Sequence, residues 1–66
     1  MNAVNDRVDV RILSMRDLTE KLGVGKSTIY SMIGEGRFPR GTRITAQKVG
    51  WLSSQVDEWI HSRFAA

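Results

Sequence analysis

Residues 16–39, RDLTEKLGVGKSTIYSMIGEGRFP, constrain this chain most, because they encode two short amphipathic helices separated by a three-residue turn. Ser14 is the start signal of the first helix. Its hydroxyl can accept from a backbone amide, Asp17 three residues on can reach back, and Leu13 and Leu18 flank this box as a hydrophobic staple. Met15, Leu18 and Leu22 then recur at helical spacing. Gly23 can take the left-handed conformation that ends a helix cheaply, and Val24 is expected to plug the corner between the helices. In the second helix Ile29, Met32 and Ile33 form the stripe to be buried, Lys26, Ser27, Tyr30 and Ser31 fall on the other face, and Gly34 and Gly36 end it. Two helices set at a steep angle by a short glycine-containing turn make a helix-turn-helix, whose second helix can enter a DNA major groove.

A chain of 66 residues holds one domain and buries roughly 60% of its unfolded surface. The expected division is a flexible N-terminus over residues 1–7 and a single domain over residues 8–64. The absence of cysteine excludes a disulfide framework and the usual structural zinc sites. MNAVNDRVDV contains no apolar run long enough for a signal peptide or a membrane span, so a cytoplasmic protein is expected. His61 stands without a second histidine or a cysteine nearby in sequence. Neither a metal site, nor a general base with its nucleophile, nor a cofactor site can be assembled, and the chain reads as a non-enzyme.

The placement of charge matters more than the net +3. Residues 1–25 are balanced, residues 26–48 hold Lys26, Arg37, Arg40, Arg43 and Lys48 against Glu35 alone, and the remainder is net negative. The whole excess sits on the second helix and the segment after it, an electrostatic footprint for phosphate rather than a merely solvated surface, because the same segment is independently expected to face DNA.

Beyond the second helix, Pro39 and Gly41 punctuate the chain. Thr42-Arg43-Ile44-Thr45, then Ala46-Gln47-Lys48, then Val49-Gly50-Trp51 read as a β-hairpin with a polar tip, a wing. Ile44, Val49 and Trp51 are expected against the helices, with Arg43, Gln47 and Lys48 on the other face or the tip. A third helix is expected with Ser54 as cap, Asp57 as its partner, and Val56, Trp59, Ile60 and Phe64 as its apolar stripe. Val8, Val10 and Ile12 alternate with Asp9 and Arg11, which predicts a brief strand that can pair with the wing. The expected class is therefore mainly α with a small β-hairpin, a winged helix-turn-helix of three helices.

Among the candidate DNA-binding residues, Lys26 suits a phosphate or a guanine edge, and Ser27 and Ser31 can donate to phosphate or bases with little specificity alone. Tyr30 suits the sugar-phosphate backbone and thymine methyls. Thr28 points nearer the first helix, where packing is expected. Arg37, Arg40, Arg43, Gln47 and Lys48 are candidates for phosphate or the minor groove, and Arg16 for a phosphate at the start of the first helix. Trp51, Trp59 and Phe38 are better read as core than as stacking platforms for single strands. Phe64 either closes the core or stays exposed.

Ile12-Leu13, LGVGKSTIYSMIGEGRFP and VGWLSSQVDEWI together resemble the AlpA family of small phage and prophage regulators, related to excisionases and MerR-type winged helix-turn-helix proteins. The resemblance covers about residues 11 to 64. Its most specific elements are Ser27-Thr28-Ile29-Tyr30, Gly36-Arg37-Phe38-Pro39, and Val49-Gly50-Trp51 followed by Val56-Asp57-Glu58-Trp59. The chain departs from the pattern at Gly25, where a serine cap is usual, and at Gly41 and Gln47, where proline and a basic residue are expected. The resemblance implies a double-stranded DNA-binding protein that regulates phage-related genes or serves as a recombination directionality factor. It also implies a bacterial, nucleoid-associated protein with an integrase or RNA polymerase as partner, and because one recognition helix and one wing cover only about one turn of DNA, self-association on adjacent DNA sites is expected. The alternative of a different class is a protein-interaction adaptor for either enzyme.

Overall fold

In the computed structural model, which describes residues 10–65, the chain runs β1 (Ile12–Leu13), α1 (Met15–Leu22), α2 (Lys26–Gly34), β2 (Thr42–Thr45), β3 (Lys48–Leu52) and α3 (Ser53–Phe64). The expectations for residues 1–7 and for Val8 lie outside the described residues. Three helices and a small antiparallel sheet give the winged-helix-like architecture expected from the sequence.

The first helix starts as its capping box requires. The Asp17 N–H donates to Ser14 Oγ at 3.1 Å, and the Ser14 N–H donates to Asp17 Oδ2 at 2.9 Å. Leu13 and Leu18, on either side of the box, are both buried, as a hydrophobic staple demands. Gly23 ends α1 at φ 71°, its N–H donating to the Thr19 carbonyl. Val24, expected in the corner, is instead exposed: the turn is closed by backbone geometry, and the side chain stands at the rim of a shallow groove with Leu22, Thr28 and Met32. Gly25 caps α2 without a side-chain bond.

Leu18, Ile29 and Val56, one from each helix, are fully buried, and Leu13, Phe38 and Trp51 complete the core. Burying a side chain of this size stabilises the fold by about 1.5–3 kcal/mol, so six such residues carry most of what a chain this small can gather.

The sheet has the order β1-β3-β2, with Ile12 opposite Leu52 and Leu13 opposite Trp51 on one side of β3. On the other side Thr42 faces Gly50 and Arg43 faces Val49, after which a bulge shifts the register so that Thr45 faces Lys48. Of the expected strand, the described residues pair only at Ile12–Leu13, and Val10 is exposed outside it. Ile44 and Val49, expected against the helices, are about half exposed, and only Trp51 of that set is buried. Thr42 faces Gly50 and Arg43 faces Val49, so alternation puts Ile44 on the face of Gly50 and Val49 on the face of Trp51. A methyl on Gly50 would stand 2.5 Å from Ile12 Cγ2 and 3.3 Å from Ile44 Cγ1 on that face.

The third helix begins two residues earlier than expected, at Ser53, with Leu52 instead of Ser54 at its N-cap and no side-chain bond there. No Ser54–Asp57 box forms. Asp57 pairs with Lys21 of α1 at 3.1 Å, and Ser53 serves β1 instead, its Oγ accepting from the Arg11 N–H at 2.7 Å.

Candidate nucleic-acid interface

At about 100° per residue, the buried Ile29 fixes where every other residue of α2 lies. Ser27, Ser31 and Gly34 fall opposite it, all exposed. Lys26 and Tyr30 occupy the flank toward the hairpin, where Tyr30, 58% exposed, shares a groove of about 570 Å³ with Arg40, Gln47 and Lys48. Thr28 lies on the opposite flank, beside Leu22, Met32 and Ile60. It faces α1 as expected but stays exposed rather than packed. The outward crown of α2 is thus made of small side chains with one large aromatic beside them.

The basic candidates divide into two groups. Arg16 pairs with Glu20 at 3.8 Å and Arg37 with Glu35 at 3.7 Å, both in exposed geometry that contributes at most about 1 kcal/mol. Arg43 donates from Nη1 to the Ala46 carbonyl at 2.9 Å, and the Gln47 N–H donates to Thr45 Oγ1 at 3.2 Å, so both residues help close the hairpin tip. Lys26, Arg40 and Lys48 have no carboxylate partner among the described residues. Arg40 and Lys48 stand on the Tyr30 groove. Lys26 and Arg16 stand on a second hollow at the start of α2, with Met15, Thr19 and Gly25.

Among the described residues, Asp17 is the titratable group whose environment moves it clearly. The bond from the Ser14 backbone N–H, then the Ser14 side chain, and more weakly the Arg11 and Arg16 charges, hold its carboxyl below the usual aspartate range. The group serves the start of α1, a structural task.

The connection between α2 and the hairpin is where reading the sequence missed most. Gly36 turns the chain at φ 75°, and the Arg37 N–H donates back to the Met32 carbonyl at 2.8 Å. The Trp59 indole N–H donates to the Arg37 carbonyl at 2.7 Å, and that of Trp51 to the Pro39 carbonyl at 2.9 Å. Phe38 is buried, edge-on to Trp59 at 4.8 Å and 73°. Phe38 and Trp51 belong to the core as expected, whereas Trp59 is only partly buried against it. Their apolar spacing gave the burial but held no signal for the partners of the two indole N–H groups.

Among the described residues, no group of three His, Cys, Asp or Glu side chains is placed to hold a metal. No described helix is long and apolar enough to cross a membrane.

A helix-turn-helix followed by a β-hairpin that returns beside it defines a winged-helix-like protein. The family model described as prophage CP4-57 regulatory protein (AlpA) matches residues 11–64, and the chain belongs to that family. It is 30% identical over 66 residues to the DNA-binding transcriptional activator AlpA of Escherichia coli strain K12, covering 91% of this chain and 94% of that protein. It is 33% identical over 60 residues to the uncharacterized protein ORF88 of Enterobacteria phage P4, covering 91% of this chain and 68% of the other. No solved structure gives a significant match.

Proposed function

We propose that this protein is a sequence-specific, double-stranded DNA-binding regulator of prophage or mobile-element genes, with α2 in the major groove and the hairpin against the backbone or minor groove. The observation that carries the reading is the set of carboxylate-free cations, Lys26, Arg40 and Lys48, around the exposed crown of α2. Phosphate contacts supply affinity and register, and only a groove-facing element reads sequence. Ser27, Tyr30 and Ser31 are the readers in this account; Lys26, Arg40 and Lys48 supply the main backbone contacts, with Arg16, Arg37, Arg43 and Gln47, each held by a bond within the protein, beside them. The activator named among its relatives supports a role in transcription, and the same surfaces would serve a recombination directionality factor. Enrichment of duplexes from a random-sequence pool, followed by footprinting of the enriched site, tests the proposal. Enrichment of a motif with protection across one major groove and the adjoining backbone is the expected result. Recovery of no duplex, or of unrelated duplexes only, would sink it.

One module spans about one turn of DNA, too little to select a unique genomic site. Several copies on adjacent sites meet that need, and Phe64, 85% exposed at the end of α3, is available for contact with a neighbouring copy, an integrase or RNA polymerase. Monomers in free solution that fill adjacent sites cooperatively are expected in sedimentation and in titration of multi-site duplexes. A tight dimer without DNA would favour a palindromic operator instead.

A further inference from the structure

We propose that Trp59 and Trp51 are positioning residues of the nucleic-acid interface: their indole N–H groups, donated from α3 and β3, hold alternate carbonyls of residues 37–40 and so set the separation between α2 and the hairpin. The inference rests on the DNA-binding reading above, and its test separates the two.

Residues 36–41 join the two parts of the interface without regular structure, yet nearly every one of them is held. Gly36 reverses the chain, and Arg37 is bonded back to Met32. The Arg37 carbonyl takes the Trp59 N–H, the Phe38 ring is clamped edge-on against Trp59, and the Pro39 carbonyl takes the Trp51 N–H. A methyl placed on Gly41 would overlap Val49 Cγ1 and stand 2.9 Å from Trp51 Cζ2, so the backbone lies directly on the Trp51 ring. Arg37 and Arg40 project outward from this held backbone, both exposed. Trp59 also carries the Arg63 guanidinium at 5.1 Å from its ring centroid, which covers the ring where the core does not.

An indole N–H is a donor only, and the hydrophobic demand of either position would be met by any large ring. What the N–H adds is direction: each bond fixes a carbonyl, and two bonds two residues apart fix the path of the connection. An interface whose helix and hairpin engage different parts of a duplex binds more tightly when their spacing is set beforehand, because less order has to be imposed on binding. Helix α3, which leaves the hairpin directly at Ser53, holds through Trp59 the basic connection between α2 and the hairpin.

The test replaces Trp59 by β-(3-benzothienyl)alanine, which keeps the shape and exchanges the N–H for sulfur. A chain of 66 residues is within reach of chemical synthesis. Trp59→Phe is the recombinant companion, and Ile60→Val, on the same helix but packed on the core, is the control for lost stability. The probe is a duplex enriched by the unaltered protein from a random pool. The expected result for the sulfur analogue is a nearly unchanged thermal midpoint with affinity down about three- to tenfold, as one hydrogen bond of positioning is worth. The slope of log affinity on log salt should become shallower by about 0.9, one phosphate contact. Hydroxyl-radical protection should weaken on the hairpin side and persist on the α2 side. Ile60→Val should lower the midpoint and leave slope and protection unchanged. Unchanged affinity and slope in the analogue would overturn the proposal. So would an affinity loss that only tracks unfolding, or an analogue that no longer folds, since the bond would then be a determinant of stability. An unaltered protein that enriches no duplex would defeat the DNA reading itself.

Discussion

Ser53 closes both main-chain groups of Arg11: the Arg11 N–H donates to Ser53 Oγ at 2.7 Å, and the Ser53 N–H donates to the Arg11 carbonyl at 2.7 Å. Arg11 and Ser53 are the next pair along the ladder in which Ile12 faces Leu52. Ser53 is also the first residue of α3, so its carbonyl turns into the helix and its hydroxyl serves Arg11 instead. Losing a buried partner of this kind costs about 1–3 kcal/mol. Ser53→Ala should therefore lower the calorimetric midpoint by several degrees, whereas Ser54→Ala should change stability by under about 0.5 kcal/mol. The reverse ranking would show that α3 starts with a Ser54 cap after all.

The Ser14–Asp17 box gives the pH dependence a sign. The Asp17 carboxyl is depressed in the folded protein, chiefly by the Ser14 backbone N–H. A depressed carboxyl contributes stability that is present above its unfolded value and lost as pH falls through its folded value. The start of α1 should loosen only in the acid range below ordinary aspartate titration. Asp17→Asn should remove that part of the acid dependence while leaving the neutral-pH fold in place. Carboxyl titration by NMR in the intact protein measures it directly, and an Asp17 titration at or above the ordinary range would contradict the assignment.

Local elements were legible and tertiary partners were not, for a physical reason visible in particular residues. Ser14, Asp17 and Gly23 act through backbone groups within one or two turns, so spacing alone located the start and end of α1. The periodicity that placed Ile29 and Val56 in the interior is also local. Ser53 and Ser54 could not be separated, because their difference lies in Arg11, 42 positions away from Ser53. Ile44 was misplaced because the register that pairs Thr42 with Gly50 and Arg43 with Val49, and so puts Ile44 and Val49 on opposite faces, is set between the strands and not within either one. The candidate cations were all identified by charge, but their division into paired and unpaired depends on the reach of Glu20 and Glu35.

That division predicts unequal effects among substitutions of equal charge. Lys26→Ala, Arg40→Ala and Lys48→Ala should each make the slope of log affinity on log salt shallower by about 0.9, measured on one duplex by fluorescence anisotropy. Arg43→Ala removes the bond to Ala46 and should act more on the melting of the hairpin than on the slope. Equal slopes for all four variants would mean that the internal bond of Arg43 is given up on DNA.

Tyr30 bears on specificity rather than on charge. It is exposed beside the small crown residues of α2, so Tyr30→Ala should bring cognate and random duplexes closer in affinity while leaving the salt slope nearly unchanged. A uniform loss on both duplexes would assign the ring to the backbone instead.

Two glycines separate folding from binding. A methyl on Gly34 meets nothing within 4 Å, and replacing a helical glycine by alanine gains up to about 1 kcal/mol. Gly34 lies on the α2 crown with Ser27 and Ser31, the surface proposed to approach the groove floor, so the same methyl would hold the helix off the bases. Gly34→Ala should therefore raise the melting temperature and weaken cognate binding together. At Gly41 a methyl would overlap Val49 and crowd the Trp51 ring, and overpacking of this kind costs about 1–3 kcal/mol. Gly41→Ala should lower the melting temperature, displace the hairpin, and weaken binding as well. Melting and binding measured side by side decide the matter: opposite signs at Gly34 and matching signs at Gly41 are expected. A Gly34→Ala protein that is more stable and binds cognate DNA undiminished would show that the crown of α2 does not approach the bases closely.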